Sequence, residues 1–426
     1  MLNHPKLKPW IVFVSFFITL NTLFFYGFVR DGTWLVIAIL LIPLYRRTGH
    51  INFFLGSLSF LFITLALNLM VDHVFPDFFY WRPYERLMTT DSDGLPIYKK
   101  NQTIQTRQLH GDLKVAAKKD EVFDIRPRNI LFRTDSFGFR NEADYNNEKI
   151  ILVGDSFIAG SSSSQEDILS SQLKRNFNVR VYNVAFPGSG IIDYAKNIRK
   201  FEKKYGKDFK AIMFFFEGND FAGPAPKPAE KSLFEKIRTF HKKPIKRYKR
   251  FFKKTGLYRY TFAAYKSLTK KEPEGKSHRL YIGDVGSHRT AFLLSDMNAV
   301  FRKKYTFPDE IIRSIESVKD HIEYIFLIPE KFRVYFAMIK DNTYPPMQNG
   351  NWQALRSLGE KLGIPTANLT EPLATESSRL LDEKNEMTFW EDDSHWNGNG
   401  AAVAAKVVCE KVKSLGCSPV PDRAKD

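Results

Sequence analysis

Apolar residues are distributed along this chain in two regimes. Near the N-terminus they run unbroken: residues 11–29 (IVFVSFFITLNTLFFYGFV) and 51–71 contain no charged side chain. As helices, either run is long enough to cross a hydrocarbon core of ~30 Å. The apolar run 33–45 would reach only about 20 Å, which fits a short span or a re-entrant or interfacial segment. After Asp72 an aromatic stretch, PDFFYWRPYER, has the composition of an interfacial collar.

Beyond it, short apolar runs alternate with amphipathic ones. Strands are expected at 149–154 (KIILVG), 180–184, 211–216, 325–329 and 367–369, and helices near 166–176, 191–204, 309–324, 352–362 and 399–415. In the last helix Ala401, Ala404, Val408, Val412 and Leu415 recur at the spacing of one buried face. Strand and helix in alternation predict an α/β domain, a parallel sheet flanked by helices. Such sheets bind ligands at the carboxyl ends of their strands. The organisation expected is an anchor over 1–75, a lead-in over 76–148, an α/β domain over 149–418 with a basic insertion at about 221–304, and a tail over 419–426.

Charge changes this picture in two places. Lys6 and Lys8 precede the first apolar segment and Arg46 and Arg47 follow the second, while Arg30 and Asp31 between them cancel. Three spans would put both basic clusters in the cytoplasm, as the positive-inside rule prefers, and the soluble part outside. Two spans would return it to the cytoplasm; three is the preferred reading. No small-residue cleavage site follows the first run, so a retained anchor is expected rather than a signal peptide.

The 426 residues carry a net charge of +17, from 64 Lys and Arg against 47 Asp and Glu. Residues 221–280 alone hold 18 Lys and Arg against 4 Glu, so +14 of that charge is local. With Phe and Tyr among the lysines, this block suits a solvated helical pair, a face for anionic lipid headgroups, or capture of an acidic glycan. Nucleic acid ranks last, since no recognition motif for it occurs. Two cysteines exclude a disulfide scaffold and a four-cysteine metal site; Cys409 and Cys417 would pair in an oxidising compartment and stay thiols in the cytoplasm.

Candidate chemistry lies in the loops after the strands. Gly154-Asp155-Ser156-Phe157 puts a serine at a strand end, although Ile158 stands where a G-x-S-x-G elbow would need its second glycine. The second strand leads into NVAFPGSG, where Asp193 breaks a dinucleotide fingerprint and Gly188 can instead offer a backbone N–H at close approach. The third ends in Glu217-Gly218-Asn219-Asp220, whose Asn219 amide is a fixed donor. Just before the last helix, WEDDSHWNGNG carries His395 with Asp392 and Asp393 ahead of it. Each motif alone could be a turn or a cap; the four together supply a nucleophile, two donors and a His–Asp pair.

On these residues the sequence resembles the SGNH (GDSL-like) hydrolase superfamily, with Ser156, Gly188, Asn219 and His395 at the four signature positions. The segment FRTDSFGFRN resembles the lead-in of membrane-anchored bacterial members, and DSHWN-x-x-G resembles the ending found in alginate O-acetylation proteins. That ending favours Asp393 as the acid orienting His395; the D-x-x-H form of other members would choose Asp392.

The resemblance implies a three-layer α/β fold and a serine esterase or acyltransferase, with an oxyanion hole from the amides of Ser156 and Gly188 and the Asn219 side chain. It requires no metal and no cofactor. The function expected is O-acyl, above all O-acetyl, transfer or hydrolysis on a cell-envelope glycan. The expected place is the cytoplasmic membrane, with the domain extracytoplasmic (periplasmic) and beside a membrane acyl-donor protein. The alternative from another class is a non-catalytic membrane assembly or adaptor protein that uses the basic insertion to bind a partner.

Overall fold

The computed structural model describes residues 82–118, 120–221 and 280–420. The apolar runs 11–29, 33–45 and 51–71, and most of the basic block, lie outside these residues. Among the described residues no helix is long and apolar enough to cross a membrane.

The lead-in forms two small antiparallel pairs, β1 (Met88–Thr90) with β2 (Pro96–Tyr98), and β3 (Thr103–Gln108) with β4 (Arg128–Arg133). The short helix α1 (Asp112–Ala116) lies between β3 and β4. Asp135, in the turn after β4, accepts hydrogen bonds from the N–H groups of Phe137, Gly138 and Phe139 through one oxygen. Its other oxygen accepts from Asn141 and from the Tyr182 hydroxyl, tying the lead-in to the sheet. Arg140 is buried and donates to the carbonyls of Gly160 and Ser163, so the FRTDSFGFRN motif also holds the loop that follows Ser156.

Then the expected alternation begins. In order come β5 (Ile150–Val153), α2 (Ser156–Ala159), α3 (Leu169–Phe177), β6 (Tyr182–Asn183), α4 (Ile191–Tyr205) and β7 (Lys210–Phe216). A hairpin, β8 (Leu280–Val285) and β9 (His288–Leu293), leads to α5 (Leu294–Val300) and α6 (Asp309–Glu316). There follow β10 (Ile322–Ile328), α7 (Lys331–Tyr335), α8 (Gly350–Leu362), β11 (Thr366–Asn368), α9 (Thr370–Lys384) and α10 (Gly398–Lys411).

Five strands make one parallel sheet in the order β11-β10-β7-β5-β6. Both faces are covered, which is why β5 reads IILV with every residue buried. Leu152, Ile212, Phe214 and Phe326 belong to a core on one face, and Ile151, Met213, Phe215 and Ile325 to a core on the other. Helix α4 meets the second core with Ile191, Tyr194, Ile198 and Phe201, and α10 meets the first with Ala401, Ala404 and Val408. The fold is α/β, a five-stranded parallel sheet between helical layers.

Three expected elements are shorter than the sequence suggested: the last helix, expected to reach Leu415, ends at Lys411, and Leu415 lies in a separate 3-10 turn. The helix expected over 309–324 stops at Glu316, because Ile322 to Ile328 is taken by β10, where burial between β7 and β11 outweighs continued helix. The strand expected over 180–184 keeps two ladder residues, Tyr182 and Asn183, at the edge of the sheet. Cys409 in α10 is disulfide-bonded to Cys417, with Cα atoms 5.6 Å apart.

Candidate active site

Strands β6, β5 and β7 are adjacent and parallel, so their C-terminal loops open on one edge of the sheet. The loop after β5 carries Ser156, the loop after β6 Gly188 and the loop after β7 Asn219. A fourth loop arrives from the C-terminal side, pinched by the antiparallel bridge between Phe389 and Trp396, and it carries His395.

Ser156 is the first residue of α2, and the side chain of Asp155 caps that turn by accepting from the Phe157 N–H at 3.0 Å. Ser156 Oγ stands 2.7 Å from His395 Nε2. The Phe157 ring packs against the imidazole at 4.8 Å between centroids, which limits its rotation. On the other side of the ring, His395 Nδ1 lies 2.6 Å from Asp393 Oδ1. That pairing fixes the tautomer: Nδ1–H donates to the carboxylate, and Nε2 is left to accept from Ser156.

Asp392 points elsewhere. Its Oδ2 accepts from the Gly111 N–H at 2.8 Å, and its Oδ1 from Arg128 Nη2 at 3.0 Å. It clamps the lead-in to the His395 loop, while Asp393 serves the ring. Gly111 must be glycine there, since a Cβ would sit 2.1 Å from the Asp392 carbonyl oxygen. Gly188 adopts φ +77°, a left-handed turn that leaves its loop free of a side chain where the space is open. Asn219 donates through Nδ2 to Asp155 Oδ2 at 3.0 Å, which leaves its second N–H unspent and ties the third loop to the first. Burial raises the Asp155 carboxyl, against the hydrogen bonds from Phe157 and Asn219.

Four contributors escaped the sequence reading. Ser162, at φ +63° in the run of serines after α2, donates to Asp393 Oδ2 at 2.7 Å. Arg82, read as part of an interfacial collar, is buried with Nη2 3.2 Å from both Asp393 oxygens. Asp112 accepts from the N–H and hydroxyl of Ser394, and Lys331 Nζ donates to the carbonyls of Ala291, Trp390, Glu391 and Asp393 beneath the loop. No local signal marks these residues, because their partners lie up to 311 positions away.

Burial works against charge on Asp393, but Arg82, His395 and Arg128 outweigh it and hold the carboxyl well below the usual carboxylate range. Burial likewise lowers Lys331 to about 8, opposed by Glu391 and Asp392. Asp112, Asp393 and His395 bring ligand atoms within 4.8 Å of one another. The Arg82 guanidinium, however, lies against all three, a cation in the space a metal ion would need.

The arrangement has the geometry of a serine hydrolase. Residues 322–425, which hold β10 and the His395 loop, match the family model described as the SGNH hydrolase-like domain of acetyltransferase AlgX. The chain is thus similar to the SGNH superfamily, as its four loop motifs indicate. No curated protein matches it.

Among solved structures, it is similar to a lipolytic protein of the G-D-S-L family from Veillonella parvula. That likeness has 11% identity and a TM-score of 0.31, over 62% of this chain and 97% of that one. It is also similar to protein YXIM of Bacillus subtilis, with 9% identity and a TM-score of 0.33, over 76% and 77% of the two chains.

Proposed function

We propose that this chain is a membrane-anchored serine esterase or O-acyltransferase that acts on O-acetyl groups of a cell-envelope glycan. The observation that carries the reading is the unbroken relay Ser156 Oγ–His395 Nε2 at 2.7 Å and His395 Nδ1–Asp393 Oδ1 at 2.6 Å. The match to a domain described from an acetyltransferase supports the acyl class and the acetyl preference.

In this mechanism His395 Nε2 takes the Ser156 proton while Oγ attacks the ester carbonyl carbon. The carbonyl oxygen gains the negative charge, and donors for it are the N–H groups of Ser156 and Gly188 and the second N–H of Asn219. His395 then returns the proton to the departing alcohol and leaves an acyl-serine. Water, or a sugar hydroxyl, next gives its proton to His395 and attacks; the acyl–Oγ bond breaks, and Ser156 Oγ takes that proton back from His395. Water as acceptor makes an esterase, a sugar makes a transferase.

The extracytoplasmic setting is supported by the Cys409–Cys417 bond, which suits an oxidising compartment, together with the charge asymmetry around the N-terminal apolar runs. In this reading the partners are the cytoplasmic membrane, a membrane acyl-donor protein, and an anionic lipid or acidic glycan at the basic insertion.

A fluorophosphonate probe tests the chemistry. It should label the wild type and not Ser156→Ala; no labelling of folded wild type would instead favour a non-catalytic adaptor. A reporter fused after Asp426 tests the placement, and activity in the cytoplasm would remove the glycan substrate.

A further inference from the structure

Several ionisable groups converge on one edge of the His395 ring. Asp393 Oδ1 is 2.6 Å from Nδ1, and Asp112 Oδ2 is 3.6 Å from the same atom. Arg82 Nη2 reaches all three partners, at 3.2 Å from each Asp393 oxygen, 3.5 Å from Asp112 Oδ2 and 3.2 Å from Nδ1. We propose that Arg82 is a positioning residue for the reaction: it balances one of two carboxylates that face a single imidazole, so that the ring meets one net negative charge. This rests on the Ser156–His395–Asp393 reading given above.

The physical need is plain. Two carboxylates against one imidazole favour its charged form, and a charged ring cannot take the Ser156 proton. An opposite charge at this range is worth about one to three pH units, and burial of Arg82 and Asp393 keeps solvent and salt from screening it.

Among the described residues, no other cation stands as close to both carboxylates and the ring. Arg128 lies 3.8 Å from Asp393 Oδ2 but is engaged by Asp392 at 3.0 Å. Lys331 spends its ammonium on backbone carbonyls of the loop. Asp155 and Asp296 also interact with His395 through space, and burial raises both carboxyls, which weakens the negative charge they would add; Glu85 Oε1 lies 3.5 Å from Arg82 Nη1, on the arm of the fork turned away from the ring contact. Arg82 also donates through Nε to Ser162 Oγ at 3.2 Å, which places its fork rather than leaving it to roam.

The test is a charge cycle read by the pH dependence of kcat/KM toward an aryl acetate. Arg82→Gln should move the acidic limb upward by about one pH unit or more, while Arg82→Lys leaves it near the wild type. Asp112→Asn should move the limb downward, and Arg82→Gln with Asp112→Asn should bring it back. Rate losses without movement of the limb in any variant would make Arg82 a packing residue and overturn the proposal.

Should Arg82→Gln fail to fold, the double variant compared with Asp112→Asn alone decides: a higher limb in the double variant upholds the balance, and equal limbs overturn it. An NMR titration of the His395 ring in a Ser156→Ala background reads the same balance without turnover. A midpoint that moves with Arg82→Gln upholds the charge balance even if fluorophosphonate labelling fails and the hydrolase reading falls. A midpoint that stays put overturns the balance even if labelling succeeds.

Discussion

Ser162 donates a hydrogen bond of 2.7 Å to Asp393 Oδ2, the carboxylate oxygen that His395 leaves free. The serine sits at φ +63°, a conformation glycine adopts without strain, so Ser162→Gly removes the hydroxyl and spares the backbone. A hydrogen bond to a charged group contributes about 1.5–3 kcal/mol, of which only part bears on the reaction. We expect kcat to fall about 3- to 30-fold with KM little changed, measured on an aryl acetate. Ser162→Ala loses the same hydroxyl and keeps the Cβ that serine already holds at this φ, so its kcat should fall by about as much as that of the glycine variant.

The two neighbouring acids should behave differently. Asp393→Asn replaces the acceptor at Nδ1 with an amide beside Arg82 Nη2, already 3.2 Å from that nitrogen. The ring proton then moves to Nε2, the base is lost, and the rate should drop on the order of 10⁴-fold with the fold retained. Asp392→Asn weakens the contacts to Gly111, Arg126 and Arg128. It should lower stability by about 1–3 kcal/mol while the rate changes only a few-fold. Equal rate losses in the two variants would contradict this division of labour.

Stability should carry a pH signature from Glu330. Burial, with Asp296 nearby, pushes its carboxyl from 4.5 up to about 8, while its side chain caps α7 through the Phe332 N–H. A raised folded-state value means the native chain holds a proton that the unfolded chain has already released. Its stabilising contribution is full below about 4.5 and is lost as the pH rises toward about 8. Glu330→Gln keeps the cap acceptor and removes the titration. Between pH 5 and 8, Tm of the wild type should therefore decline relative to the variant in thermal melts.

The cysteine pair gives a prediction about place. Non-reducing peptide mapping of protein taken from cell membranes should recover Cys409 linked to Cys417. In the chain-entropy picture, closing so short a loop contributes roughly 2–3 kcal/mol. Both thiols alkylated in freshly lysed cells would set aside the extracytoplasmic reading.

The parallel sheet was legible because its strands are buried on both faces. Runs such as IILV in β5 and IMFFF in β7 read as strands without any partner in view. The antiparallel pairs were not, since TIQTRQ in β3 and HRTAFL in β9 mix polar and apolar residues on half-covered ribbons. Ser156, Gly188, Asn219 and His395 stood out because strand ends and turn residues frame them. Arg82 and Ser162 did not, for their meaning comes from Asp393, 311 and 231 residues away. A tertiary neighbour of that kind leaves no periodicity behind.

Those separations also set a schedule. Arg82 is made soon after the apolar runs, and His395 follows it 313 residues later. The constellation around Asp393 cannot assemble until synthesis has passed His395. A chain cut short before His395 would present Ser156 without its hydrogen-bond partner at Nε2. In that sense the long-range contact acts as a safeguard in time, keeping Ser156 from its partner until the loop of His395 has been made.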